Sequence, residues 1–123
     1  RAADAHVQFV DARPPAELCR LYHAAAVHAC VSWYETPGLA SLEAALCGCA
    51  LVVTPGGCTR EYFGDDASYA QPHDPASIRA AIEQALQRGP SAPLAQRVAR
   101  EFTWDAAAAQ TAVAYDLALS ARG

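Results

Sequence analysis

The chain has 123 residues, of which 53% are hydrophobic, so its size allows one packed domain. The net charge is −4 and all nine basic residues are arginines spread along the chain, which argues against nucleic-acid binding. No apolar run approaches the roughly 20 residues of a membrane-spanning helix, and no signal peptide is visible. The expected location is the cytoplasm, with peripheral attachment to the membrane as the alternative for a full-length protein.

The chain contains an odd number of cysteines and no C-x-x-C pair. They are Cys19, Cys30, Cys47, Cys49 and Cys58. This pattern predicts free thiols in a reducing compartment, with neither disulfides nor structural zinc. The four histidines show no ligand spacing with the cysteines, so no metal site is predicted.

The first part of the chain predicts a strand, a helix and a second strand. Residues 7–10 have the composition of a short buried strand. Pro14-Pro15 favours a helix start, and the apolar spacing continues this helix over residues 15–25. The apolar run of residues 27–31 predicts the next strand.

The second helix is predicted over residues 37–47, with Thr36 as its N-cap and Pro37 at its first position. Gly48 is expected to end it. Residues 50–53 then form a run that is apolar at every position, which is typical of a central strand in a parallel sheet.

The later elements alternate less regularly and end in helices. We expect a sharp turn at Pro55-Gly56-Gly57, in which the glycines serve the turn rather than a ligand. The remaining predictions are a short helix over 59–63, an edge strand over 68–70, and helices over 75–88, near 94–102 and over 104–119. Trp104 is expected to pack in the core at the start of the last helix.

Strands that alternate with helices predict an α/β fold, a Rossmann-like parallel sheet with helices on both faces. No G-x-G-x-x-G follows any predicted strand, so a nicotinamide-dependent dehydrogenase is not expected. Few strands followed by several helices are typical of the latter part of a doubly wound domain. We therefore expect residues 1–123 to be a single, partial domain of a longer protein.

The stretch from Ser32 to Glu43 lies between the second and third predicted strands. In an open α/β sheet, ligands bind outside the carboxyl ends of the strands. A helix that starts at Pro37 presents the N–H groups of Gly38 and Leu39 to an anion. Glu43 would lie about 9 Å further along the helix axis, where a carboxylate can accept from two vicinal hydroxyls.

Glu35-x7-Glu43, with Gly38-Leu39 inside it, resembles the E-x7-E signature of the large retaining glycosyltransferase family of the GT-B fold, family 4 or group 1. Similarity to this family covers nearly the whole chain and keeps its order. The further matching positions are Glu17-Leu18 with Leu21-Tyr22 and Ala25, Ser32, Leu42-Glu43-Ala44-Ala45 with Gly48, Val52-Val53, Gly56-Gly57 with Glu61, Phe102-Thr103-Trp104, and Tyr115.

The resemblance implies the C-terminal, donor-binding part of a GT-B enzyme. Such an enzyme moves a hexose from a nucleotide diphosphate sugar, for example a UDP-sugar, to a hydroxyl acceptor with retention of configuration. It implies that Glu35 contacts the transferred sugar and stabilises positive charge at its anomeric carbon. Glu43 would bind the ribose, and Gly38, Leu39 and Thr36 would complete the nucleotide-sugar site.

The resemblance also implies what lies elsewhere in the enzyme. The family's Arg/Lys pair for the diphosphate is expected before the first strand, and this chain has no lysine. The acceptor-binding N-terminal domain is expected as a partner, against which the last helix packs. Neither a metal nor a cofactor beyond the substrate is expected. Two other functions remain open, a non-catalytic Rossmann-like binding module and a nucleotide-sugar epimerase, and the role of Glu61 is also open.

Overall fold

The computed structural model describes residues 6–121 and contains a three-stranded parallel sheet. The strands lie side by side in chain order. They are β1 (Val27–Cys30), β2 (Ala50–Val53) and β3 (Ser68–Tyr69). The helices are α1 (Pro15–Ala24), α2 (Leu39–Leu46), α3 (Thr59–Phe63), α4 (Pro75–Arg88), α5 (Ala92–Glu101) and α6 (Trp104–Ser120), with a 3₁₀ turn over Gly64–Asp66.

Strand β2 is the centre of the fold. It pairs with β1 in the register Val27 to Ala50, and with β3 in the register Val52 to Ser68. All four of its residues are buried, as the uninterrupted apolar run predicts. A parallel arrangement brings the carboxyl ends of all three strands to one edge of the sheet.

Helices cover both faces of the sheet, which confirms the predicted α/β fold class. Leu51 and Val53 face a core built from α2, α3 and α5, in which Leu42, Phe63 and Leu94 are buried. The two other residues of β2 face the opposite side, where they pack against alanines of α4. The strand alternates its side chains between the two cores because successive residues of a strand point to opposite faces.

Side-chain caps fix the starts of the last three helices, of which α4 and α6 begin at the predicted residues and α5 begins two residues earlier than predicted. Asp74 accepts a hydrogen bond from the N–H of Ala76 at 2.9 Å, and Thr103 accepts one from the N–H of Ala106 at 3.1 Å. Ser91 caps α5 in the same way and also donates to Asp66. These bonds satisfy amide groups that have no partner inside a helix.

The predicted strand over residues 7–10 does not form. The structure assigns no strand to this segment, and Val7, Phe9 and Val10 are each about half exposed or more. The prediction was wrong because apolar composition alone does not make a strand. A strand also needs a neighbour whose backbone groups pair with its own.

The start of α2 also differs from the prediction. The helix begins at Leu39, two residues later than expected, with Gly38 rather than Thr36 at its N-cap. Gly38 has a φ of 71°, which lies in the left-handed region and does not continue into a right-handed helix. Thr36 and Pro37 therefore belong to the preceding loop, and the peptide bond between them is cis.

Helix α6 is exposed along its whole length. None of its residues is buried, and Trp104 is 90% exposed, so the prediction that Trp104 packs in the core was wrong. Within residues 6–121, no helix combines the length and the hydropathy that crossing a bilayer requires.

Candidate functional site

The loops that follow β1 and β2 are joined through the backbone of Glu35. Its N–H donates to the carbonyl of Gly56 at 3.3 Å, and its carbonyl accepts from the N–H of Cys58 at 3.1 Å. Glu35 and Gly57 form an isolated parallel bridge. These contacts extend the β1–β2 pairing past the strand ends, so they hold Glu35 at the carboxyl edge of the sheet.

This junction depends on two glycines. A Cβ atom on Gly56 would lie 2.7 Å from the carbonyl oxygen of Trp33. One on Gly57 would lie 2.9 Å from the nitrogen of Glu35 and would collide with the Glu35 carbonyl oxygen, and the φ of Gly57 is +90°. The glycine pair thus serves the close approach of two loops, as the turn prediction implies.

The side chain of Glu35 is partly buried and held by donors from its own loop. Its Oε2 atom accepts a hydrogen bond from the hydroxyl of Ser32 at 3.0 Å and a weaker one from the thiol of Cys30 at 3.5 Å. Burial, followed by the neighbouring Glu35, raises the pKa of Cys30, so this thiol remains a proton donor. The carboxylate is therefore oriented before any ligand arrives.

Gly38 places the start of α2 against Glu35. A Cβ atom on Gly38 would lie 3.3 Å from Cγ of Glu35, so the glutamate side chain runs directly past this glycine. The carbonyl of Gly38 accepts from the N–H groups of Ser41 and Leu42, which starts the helix. The structure therefore brings the predicted residues Glu35 and Gly38 together, with Leu39, 63% exposed, at the first turn.

The predicted Thr36 lies in the loop before α2 and is exposed. It makes no side-chain cap to the helix, which is the role that its position had indicated. Its place next to Glu35 and Gly38 in the chain keeps it at the same edge of the sheet.

Glu43 lies on the exposed side of α2, away from Glu35. It lines an open groove of ≈ 1070 Å³ together with Leu39 and Glu61, and residues of α5 and α6 form the opposite wall. Glu35 is not among the residues that line this groove. Glu35 and Glu43 therefore do not both line this groove, and the start of α2 lies between them in the chain.

Two exposed aromatic side chains next to Glu35 were not singled out from the sequence. Trp33 is 73% exposed and stacks on His73 with ring centroids 6.1 Å apart, and Tyr34 is 69% exposed. The signal for them was a pair of adjacent aromatic residues in the polar loop that follows the apolar run of residues 27–31. Exposed aromatic faces can stack on bases or on the apolar faces of sugars.

A histidine fixes α2 against β1. His28 on β1 lies 3.1 Å from the hydroxyl of the buried Ser41, through its Nε2 atom. Its ring also contacts Tyr22 of α1 edge to face, at 5.6 Å between centroids. Burial lowers the pKa of His28 below its ordinary value of 6.5, so this residue is a neutral structural group.

The prediction that no histidine is spaced to share a ligand site with the cysteines was wrong. Cys19 and His23 are four residues apart on α1, and α2 ends with Cys47 beside them. The three donor atoms lie within 4.8 Å of one another. The first pair was visible as an i, i+4 spacing in a predicted helix, whereas the approach of Cys47 depends on the packing of α1 on α2.

A family model of the Glycosyl transferases group 1 matches residues 1–101 of the chain. The chain belongs to this family. The group 1 match covers the sheet, Glu35, Glu43 and every helix up to α5.

Curated relatives of this group 1 chain include a D-inositol 3-phosphate glycosyltransferase of Corynebacterium diphtheriae, 37% identical over 108 residues. That alignment covers 83% of this chain and 25% of the relative. An O-antigen chain mannosyltransferase B of Escherichia coli is 34% identical over 117 residues, which cover 90% of this chain and 30% of the relative.

A solved structure supports the fold of the group 1 chain. The sucrose-phosphate synthase of Thermosynechococcus elongatus superposes with a TM-score of 0.74 at 27% identity, over 93% of this chain and 30% of that one. The chain therefore spans about a quarter to a third of the length of the proteins that it matches.

Proposed function

We propose that this chain is the C-terminal, donor-binding part of a retaining hexosyltransferase. The reaction moves a hexose from a nucleotide diphosphate sugar, such as a UDP-sugar, to a hydroxyl acceptor. The observation that carries the proposal is the placement of Glu35, whose carboxylate is oriented at the carboxyl edge of a parallel sheet and beside the first turn of α2. This is where open α/β sheets bind their ligands.

Glu35 is proposed to contact the transferred sugar. During transfer, the bond from the anomeric carbon to the diphosphate breaks, the diphosphate leaves with the electron pair, and a bond to the acceptor oxygen forms as the acceptor hydroxyl loses its proton. Positive charge develops at the anomeric carbon in this process. A carboxylate already held by Ser32 and Cys30 stabilises that charge without reorganising at the moment of reaction.

The start of α2 is proposed to bind the diphosphate. The N–H groups of Gly38 and Leu39 lie at the helix N-terminus, where amide groups and the helix dipole favour an anion. Pro37 precedes the helix, so its missing N–H removes no donor from the first turn. The exposed Thr36 is proposed to contribute its hydroxyl to the same site.

Glu43 is proposed to bind the ribose. It lies four residues after Leu39, about 6 Å along the helix axis, on an exposed surface that opens into a groove. This separation leaves room for a diphosphate at the helix end and a ribose beside the second turn. The carboxylate can accept hydrogen bonds from both ribose hydroxyls.

The proposed transfer uses neither a metal ion nor a cofactor, because oriented charges and amide dipoles supply the stabilisation. The acceptor site is proposed to lie on an N-terminal domain of a cytoplasmic enzyme. Exposed apolar residues on one face of α6, namely Val113 and Leu117, support a contact between this helix and that domain. Covering such side chains removes apolar surface from water.

The test is a titration of the full-length protein with UDP-, GDP- and ADP-sugars, comparing wild type with Glu43→Ala. Glu83→Ala on α4 is the control, because it removes an exposed helical carboxylate that pairs with Arg79 and does not line the groove at Glu43. We expect Glu43→Ala to weaken donor binding by roughly 10-fold to 100-fold, since a hydrogen bond to a charged group contributes about 1.5–3 kcal/mol.

Unchanged donor affinity in Glu43→Ala would contradict the ribose role. Donor binding by wild type without any turnover would favour the non-catalytic binding module instead. Conversion of the bound nucleotide sugar to an isomer, without transfer to an acceptor, would favour an epimerase.

A further inference from the structure

The far end of α2 carries a second cluster of chemically active side chains. Cys19 and His23 share one face of α1 because residues four apart on a helix are neighbours. Cys47 is the C-cap of α2, held there by its N–H bond to the Glu43 carbonyl at 3.1 Å. The Sγ atoms of Cys19 and Cys47 lie 3.5 Å apart, and an imidazole nitrogen of His23 lies within 4.8 Å of both.

These distances fit a shared metal ion. Two thiolates bound to one tetrahedral zinc ion, at Zn–S distances of ≈ 2.3 Å, lie about 3.8 Å apart. The observed separation of 3.5 Å between the two sulfurs is close to that value, so small side-chain rotations would suffice. Cys19 is exposed and Cys47 is partly exposed, which leaves a path from solvent to the cluster.

The three donor atoms determine which metal ions the cluster can bind. Two sulfurs and one imidazole nitrogen suit a borderline ion such as Zn²⁺. Calcium and magnesium require oxygen ligands, and an iron–sulfur cluster requires more ligands than the three present here. The nearby Cys49 does not add a fourth ligand, because its buried thiol donates to the carbonyls of Tyr22 and Ala25.

We propose that Cys19, His23 and Cys47 form a Zn²⁺ site that joins α1 to α2. Three protein ligands leave the fourth position of the tetrahedron to water. Binding replaces the two thiol protons, which pass to solvent, and the resulting dithiolate site carries no net charge. A disulfide between Cys19 and Cys47 would not involve the His23 imidazole, whereas a metal ion would bind all three donor atoms.

The test uses the full-length protein, treated with a chelator, reduced and kept free of oxygen. Zn²⁺ is titrated in competition with a chromophoric chelator, and Co²⁺ serves as the spectroscopic probe of thiolate ligation. The variants are Cys19→Ser, Cys47→Ser and His23→Asn. Cys58→Ser is the matched control, since it removes a partly buried thiol outside the cluster.

We expect one Zn²⁺ per chain and a thiolate-to-cobalt charge-transfer band. Each ligand variant should bind at least roughly 10-fold more weakly, because even the loss of an outer-shell partner of a metal ligand costs 10–100-fold. Cys58→Ser should bind like wild type. His23→Asn removes an exposed side chain, so its effect does not depend on refolding of a core.

Three results would overturn the proposal. One is equal Zn²⁺ affinity in wild type and Cys47→Ser. Another is wild-type Zn²⁺ affinity in His23→Asn, which would show that the imidazole is not a ligand. The third comes from a parallel assay with hydrogen peroxide added as the two-electron oxidant: it is oxidation of Cys19 and Cys47 to a disulfide at the same rate with and without Zn²⁺, because bound metal protects thiolates from oxidation.

Discussion

The carboxyl edge of the sheet and helix α6 both carry positions that resemble the family's motifs, yet they are built differently. At the sheet edge, Glu35 is held by backbone bonds to the loop after β2 and by side-chain bonds from its own loop. Helix α6 has a capped start at Thr103 but no buried residue. Contacts among the described residues therefore fix the position of Glu35 at the sheet edge. In α6, no buried side chain adds to the local helix propensity.

This difference indicates how the two regions are divided in function. A site that must stabilise charge needs groups held in fixed positions by their surroundings. A helix that contacts another domain needs an exposed apolar surface, and α6 has one. Substitutions in the two regions should therefore differ most in their effect on stability.

The largest difference in the free energy of unfolding is expected between Phe63→Ala and Trp104→Ala. Phe63 is fully buried and its ring lies 3.8 Å from the Cβ position of Gly38, so its loss should lower the free energy of unfolding by about 3–5 kcal/mol. Trp104 is 90% exposed, and its loss should change stability by about 0.5 kcal/mol or less. Denaturant unfolding of both variants checks this, and similar losses would contradict the contrast.

A smaller loss is expected from Gly57→Ala, which should lower the free energy of unfolding by about 3 kcal/mol. The new methyl group would collide with the Glu35 backbone, and the φ of Gly57 is positive. Gly48→Ala is the matched control, since its φ of +87° is close to that of Gly57 but nothing lies within 4 Å of the new atom. This control variant should lower the free energy of unfolding by about 1–2 kcal/mol. Equal unfolding midpoints for the two variants would show that the loops are not held in close contact.

The smallest effect concerns the pH dependence of stability. The pKa of His28 is lowered in the folded state, so the unfolded state binds more protons between that pKa and 6.5. Stability should therefore be full above pH 6.5 and should fall as the pH drops through this window. His28→Asn should flatten that part of the profile of unfolding free energy, and an unchanged profile in this variant would contradict the assignment.

Local patterns predicted most of the fold. Continuous apolar runs predicted β1 and β2, and the helices predicted over 75–88 and 104–119 form with Asp74 and Thr103 as their side-chain caps. The glycine pair 56–57 was correctly assigned to a tight turn. The sequence also placed Glu35 and Gly38 together, since both follow the same strand.

The errors share one physical cause, which is dependence on distant contacts. Residues 7–10 form no strand and Trp104 lies outside the core, and the local sequence predicts neither outcome. Thr36 and Pro37 are good helix-start residues, but the backbone of Gly38 decides where α2 begins. Cys47 meets Cys19 only because α1 packs on α2.

The central claim is that the fixed carboxylate of Glu35 stabilises the transfer of a donor sugar. The most direct measurement is turnover by the full-length protein and by Glu35→Gln, with the product's anomeric configuration read by NMR. Glutamine keeps the shape and an acceptor oxygen but removes the charge, so kcat should fall by roughly 100-fold or more with little change in donor affinity, and wild type should retain configuration. Wild-type turnover in Glu35→Gln, or an inverted product from wild type, would contradict the account.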